Sequence, residues 1–176
     1  MPNPVENFAA KTAGKAAGLR ARAQGLVGVF NVLAQQHEQA ASLLSRARHA
    51  NDPAKRRDLW SQVRCDLICH ERAELSTLYP VMEENPKSAD IARDHADSAR
   101  DLEAAIAGID ALGYDSDSWD SALMGLIQLV QRHVEQEEKQ FFPRAQEIIG
   151  KDAAHALERP LLAAQEQCRS QMNQLA

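Results

Sequence analysis

Apolar positions recur at spacings of three and four along most of the chain, which is the period of a helix face, and no stretch alternates as a strand would. Phe30, Leu33, His37, Ala41 and Leu44 share one face. Val63, Leu67, His70, Glu74 and Leu78 share another, as do Ile91, His95, Ser98, Leu102 and Ile109, and Trp119, Leu126, His133 and Glu137. Asn51-Asp52-Pro53 offers an N-cap followed by proline at the first helical position, and Asn85-Pro86 repeats that device. Gly113 and Gly150 suit helix C-termini, Asp115-Ser116-Asp117-Ser118 supplies caps after the first of them, and Asp152 supplies one after the second. The pattern predicts four long helices over roughly 26–50, 53–84, 86–112 and 117–149, and a shorter fifth over about 153–174. Short connections between long helices make neighbours antiparallel, so the expected fold is all-α: an up-down-up-down four-helix bundle over 26–149. Residues 150–176 form an additional C-terminal helix in this reading, with Leu157, Leu161, Ala164, Cys168 and Leu175 packing on the same bundle. Residues 1–25 are an N-terminal extension, either a weak helix carrying Phe8, Thr12, Ala16, Leu19 and Ala23 or an arm, since Gly14 and Gly18 oppose a firm helix.

Composition narrows the partners. At 176 residues the chain has room for one ordinary domain. The net charge of -5 argues against nucleic-acid binding, which depends on basic patches. No apolar run approaches a membrane span, and MPNPVENFAAKTAGKAAG lacks the apolar core of a signal peptide, so the expected location is the cytoplasm. Cys65 and Cys69, four apart on one helix, read as small core residues rather than as a disulfide framework.

The apolar faces themselves carry ionisable groups: His37, His70, Glu74, His95, His133 and Glu137. Buried ionisable groups must be paired or bound, and six of them on four helices need a common cause. A cation supplies one, because it gives carboxylates a positive charge and neutral imidazoles an acceptor. His70 with Glu74 and His133 with Glu137 stand at i,i+4, so each pair stacks on one face. Residues 70–80 and 133–143 both read H-x3-E-x4-aromatic-Pro, and each is preceded by a helix with a lone core-facing histidine, His37 and His95. With a rise of about 1.5 Å per residue, all six fall within about a turn of one level.

This pattern resembles the hemerythrin-like, or HHE cation-binding, family over roughly residues 26–149. The resemblance rests on His37, His70 with Glu74, His95, His133 with Glu137, and the Leu-Tyr-Pro and Phe-Phe-Pro tails. It implies an antiparallel four-helix bundle holding two non-haem irons, bridged by carboxylates and an oxo or hydroxo species. It also implies a protein that binds O2, senses oxygen, iron or redox state, or handles nitric oxide and peroxide. Oxygen-carrying members add a second histidine four residues after that of the third helix; here the position is Ala99. Glu71 is the substitute ligand this departure suggests, and a solvated helix residue is its other reading. The expected function is therefore binding of, or reaction with, O2 or a related small oxidant, in sensing or redox buffering. Leu67, Leu102, Leu126 and Ile91 are expected to keep bulk water from the site.

Other features carry less. His49 and His155 read as surface residues, Lys55-Arg56-Arg57 as a solvated face, and Trp60, Trp119, Tyr79, Phe141 and Phe142 as core, with Tyr79 also a candidate hydrogen-bond donor at the site. A ferritin-like bundle would place Glu three residues before each His, where Ala34, Leu67, Ala92 and Val130 stand. A structural or storage site holding one metal or zinc is the competing reading. No nucleophile or general-base pair is visible, so no enzyme activity is assigned. A protein partner through the terminal helices is a further expectation.

Overall fold

Asp52 opens the second long helix by accepting a hydrogen bond from the Ala54 amide at 3.0 Å, and Pro53 follows at the first helical position, where no N–H is needed. The computed structural model describes Ala21 and residues 25–175, apart from the side chains of Ile91, Asp94 and Leu175. The expected N-terminal arm lies almost wholly outside the described residues. Within them the fold is all-helical, with no strand. The elements are α1 (Val29–His49), α2 (Pro53–Thr77), α3 (Tyr79–Glu83), α4 (Ala89–Asp110), α5 (Asp117–Gln136), a π-helical segment (Glu137–Phe141), α6 (Phe142–Ile149), α7 (Lys151–Ala156) and α8 (Glu158–Leu175).

The boundaries depart from the pattern at identifiable residues. The second segment breaks at Leu78, two residues before Pro80, whose ring cannot continue the amide ladder. The fourth passes through a π turn in which the Phe142 amide bonds the Glu137 carbonyl, just before Pro143. Asn85 does not cap a helix as expected: its side chain accepts from the Lys87 amide in a turn, and α4 starts only at Ala89. Gly113 is not a left-handed cap either, since α4 already ends at Ala111 in right-handed geometry. Ser116 does cap α5, accepting from the Trp119 amide. Asp152 falls in the first turn of α7 and makes no cap; Gly150, at φ 82°, makes that junction. Ala41 is exposed, and its neighbour Ala40 takes the buried position.

The long helices touch in a ring, α1 to α2, α2 to α4, α4 to α5 and α5 back to α1, and α8 lies along α2. Two apolar clusters fill the ends. One is built around Trp60 and Trp119, edge to face at 6.4 Å. The other holds Phe30, Leu33, Tyr79, Phe141 and Phe142. Arg56 does not belong to a solvated face. It donates to the Ala50 and Tyr114 carbonyls, pairs with Asp120 and covers the Trp119 ring at 5.3 Å, sealing the first cluster, whereas Arg57 is exposed. At the other end Gly28 sits at φ 60° with the Ala154 backbone against it; a Cβ there would meet the Ala154 carbonyl carbon at 2.3 Å. No helix among the described residues is long and apolar enough to cross a membrane.

The cysteines also differ from expectation. Cys69 is not a simple core thiol: it is disulfide-bonded to Cys168, 99 positions away, with a Cα–Cα distance of 5.5 Å. The packing of α8 on α2 brings the two together. Cys65 is the free cysteine, half-buried.

Candidate metal centre

Between the two apolar clusters the helix faces become polar. His70 and Glu74 come from α2, His133 from the end of α5 and Glu137 from the first residue of the π segment. His37 enters from α1 and His95 from α4. All are buried, and Glu74 and Glu137 are wholly shielded, at 0% exposure. Glu71 is 2% exposed, so its reading as a solvated residue is excluded. His49 and His155 are exposed, as expected.

The side chains gather in two groups. One ligand atom each from His37, His70, Glu74 and Glu137 lies within 4.8 Å of the others, and His95, His133 and Glu137 form a second set by the same measure. Glu137 is common to both: its Oε2 is 3.1 Å from His37 Nε2, and its Oε1 is 3.4 Å from His133 Nε2 and 3.9 Å from His95 Nδ1. Glu71 Oε1 stands 3.2 Å from His133 Nε2, on the side of the second set.

Neighbouring residues orient the rings. His37 Nδ1 is 2.9 Å from Glu138 Oε1, and His70 Nδ1 is 2.9 Å from Gln36 Oε1. Both oxygens accept only, so both Nδ1 atoms donate. The two Nε2 atoms then face each other at 3.2 Å, and in neutral rings both present lone pairs. That approach is unfavourable unless a proton or a cation lies between them. His133 Nδ1 is 2.9 Å from the Ser98 hydroxyl. Gln36 and Gln165, from α8, exchange two amide hydrogen bonds of 2.8 Å. Partners of this kind fix the tautomer and aim of ligating imidazoles.

The carboxylates test whether a cation fits. Both oxygens of Glu74, both of Glu137 and Oε2 of Glu71 are buried without a hydrogen bond of proper geometry. Buried carboxylate oxygens are normally satisfied, and here they instead crowd imidazole nitrogens around shared points. A hard or borderline cation satisfies oxygen and imidazole donors together, so the residues fit a metal.

The same crowding shows in the acidities of the metal-free chain. Burial opposes charge on His37, but Glu137 and Glu138 outweigh it and hold the ring at about 9. Burial likewise opposes charge on His133, and Glu137 with Glu71 overcomes it to about 12. Burial and the Glu137 charge push Glu74 up to about 7. Glu137 is held well below the usual carboxylate range: burial acts against this, and His133 and His37 prevail.

Tyr79 stacks on Phe141 at 5.5 Å and lies 6.3 Å from the His95 ring. Its hydroxyl is buried without a hydrogen-bond partner, and burial together with the Glu74, Glu137 and Glu71 charges keeps it protonated. A cavity of about 70 Å³ borders the centre, lined by Leu67, His70, Glu71, Leu102, Val130 and His133, with Asp66 and Arg169 among its other walls. Leu67 and Leu102 thus sit where expected. Leu126 shares the Trp60 cluster with Leu67 and Leu102 but does not line this cavity, and the Ile91 side chain lies outside the described residues.

A family model for the hemerythrin HHE cation-binding domain matches residues 28–145. The chain belongs to the hemerythrin HHE family. No curated protein and no solved structure matches it. The hemerythrin match spans every residue of the two groups and stops before α8, so Gln165 and Arg169 reach the cavity region from beyond the matched domain. The hemerythrin pattern also gives no hint of Glu138 as the partner of His37. Its neighbour Glu137 marked the right helix; Glu137 is fully buried against His37 Nε2, while partly exposed Glu138 meets Nδ1 of the same ring.

Proposed function

We propose that this chain is a non-haem di-iron protein that binds or reacts with O2 or a related small oxidant, in oxygen, iron or redox sensing or buffering. The observation that carries the reading is the sharing of Glu137 by two buried ligand groups, which suits two adjacent ions better than one. His37, His70 and Glu74 would hold one ion, and His95, His133 and Glu71 the other, with Glu137 between. Iron, when bound, supplies the electrons that O2 or peroxide accepts.

The chain's own residues do the rest. Neutral imidazoles favour the ferrous state, and the carboxylates compensate charge gained on oxidation. Glu138 polarises His37, a stronger acceptor than the Ser98 hydroxyl behind His133, so the two positions are electronically unlike. The cavity of about 70 Å³ beside the centre is large enough for a diatomic or a peroxide. In this reading residues 26–149 form the antiparallel up-down-up-down bundle, 150–176 a C-terminal helix and 1–25 an extension, in a cytoplasmic protein.

Anaerobic loading with Fe(II) followed by air tests the proposal. Uptake of two irons and a visible charge-transfer band that appears only with air support it. Uptake of a single metal with no air-dependent band refutes it in favour of a mononuclear or structural site.

A further inference from the structure

We propose that Cys69 and Cys168 form a thiol–disulfide exchange site, worked by a dithiol reductant, that sets the hold of α8 over the metal centre. The effect on the centre rests on the reading given under Proposed function; the exchange itself rests on the cysteine pair alone.

The pair is the covalent part of the attachment of α8, which packs along α2. The Cα–Cα distance of 5.5 Å lies within the range a disulfide spans without moving the backbone. Between Leu161 and the end of α8 the buried positions are Leu161, Gln165 and Cys168. One of these is an amide and another is the disulfide itself. The other ties to the body include the Gln165–Gln36 amide pair, the Arg169–Asp66 ion pair at 3.3 Å, half-buried Ala164 against the Phe30 cluster and half-buried Met172 against Cys69 and the Trp60 cluster.

Those same ties reach the centre. Gln36 Oε1 receives both Gln165 Nε2 and His70 Nδ1. Arg169 and Asp66 line the cavity that His37, His70, Glu71 and His133 also line. Cys69 immediately precedes His70 on α2. Loosening α8 therefore removes one of the two donors to Gln36 and lifts Arg169 from the cavity wall.

The exchange balances with an external dithiol. Its thiolate attacks Sγ of Cys168, the less deeply buried residue of the pair, once α8 opens locally. The S–S bond breaks, and its electron pair leaves on Cys69, which takes a proton. The second thiol of the reductant then attacks its own sulfur in the mixed disulfide and displaces Cys168, which is protonated in turn. Two electrons and two protons pass to the pair, and the reductant departs as a disulfide. In a reducing compartment such a bond is transient and regulatory rather than structural.

The test uses the full chain, oxidised or treated with dithiothreitol, with thiols alkylated and mapped by mass spectrometry. The oxidised protein should label at Cys65 alone, and the reduced protein at all three cysteines. Amide exchange across residues 158–175 should rise at least about tenfold on reduction, with α4 and α5 unchanged. Cys168→Ser under oxidising conditions should reproduce the rise, and Cys65→Ser should leave both states as they were. In a second arm, release of bound Fe(II) or Co(II) to a small chelator should quicken by about tenfold on reduction. Alkylation of Cys69 and Cys168 without reductant, or equal α8 exchange in both states, overturns the exchange site. A looser α8 with unchanged metal release overturns its coupling to the centre. Failure to load metal in either state overturns the metal reading itself and the coupling with it, while the exchange arm still reads.

Discussion

Replacing Glu137 by Gln tests whether one carboxylate serves both ligand groups. The change keeps the shape of the side chain and removes its charge. In the structure that charge is wholly buried, with His37 Nε2 at 3.1 Å from one oxygen and His133 Nε2 at 3.4 Å from the other. Breaking a buried charge pair costs about 3–5 kcal/mol, which is about two to three and a half decades of affinity. Because Glu137 belongs to both sets, the loss should fall on both of the proposed ions. Glu74 belongs to the first set alone, so Glu74→Gln should spare the ion held by His95 and His133. The assay is an anaerobic Fe(II) or Co(II) titration with elemental analysis, on proteins whose helical circular dichroism matches wild type. The expected order is full occupancy for wild type, about half for Glu74→Gln and less for Glu137→Gln. A Glu137→Gln protein that keeps wild-type stoichiometry and affinity, or one indistinguishable from Glu74→Gln, would refute the shared-carboxylate argument.

Metal removal should destabilise the fold. At a hundredfold excess of free metal over Kd the linkage is about 2.7 kcal/mol, a Tm shift of roughly 5–10 °C for a chain of this size, readable by scanning calorimetry. The shift should grow with pH. In the metal-free chain His37 is raised from 6.5 to about 9, so its contribution is fully present below pH 6.5 and is lost as pH rises through about 9. Glu74, raised from 4.5 to about 7, binds more protons folded than unfolded, so metal-free stability also falls across that window. Protons meanwhile compete less with metal, so the Tm gap between loaded and metal-free protein should widen from pH 6.5 to 9; a narrowing gap contradicts the assignment. Gly28→Ala combines a left-handed backbone with a Cβ 2.3 Å from the Ala154 carbonyl carbon, and should cost about 2 kcal/mol or more by urea unfolding. An unchanged midpoint would mean that α7 is not docked where the structure has it.

Helical periodicity alone put His70 over Glu74 and His133 over Glu137, because i,i+4 neighbours share a face whatever surrounds them. The same local logic placed Asp52 and Ser116 as caps, ended a helix at Gly150 and put a polar layer inside four apolar faces, but it misplaced the caps at Asn85, Gly113 and Asp152. Where it succeeded, the property belongs to one turn of backbone. Other features depended on how elements rotate and dock. Whether Glu71 faces solvent or His133 is a matter of the roll of α2 about its axis, and the helix period leaves that undetermined. Glu138 meets His37 only because α1 docks where the ring fits between Glu137 and Glu138, and spacing along the chain does not give that docking. Arg56 looked solvated because its neighbours in sequence are charged, but its partners are Ala50, Tyr114, Asp120 and the Trp119 ring. Gln165 meets Gln36 across 129 positions, and Cys168 meets Cys69 across 99. Spacing along the chain carries no term for such pairs; only the packing of α8 on α1 and α2 brings them within bonding distance.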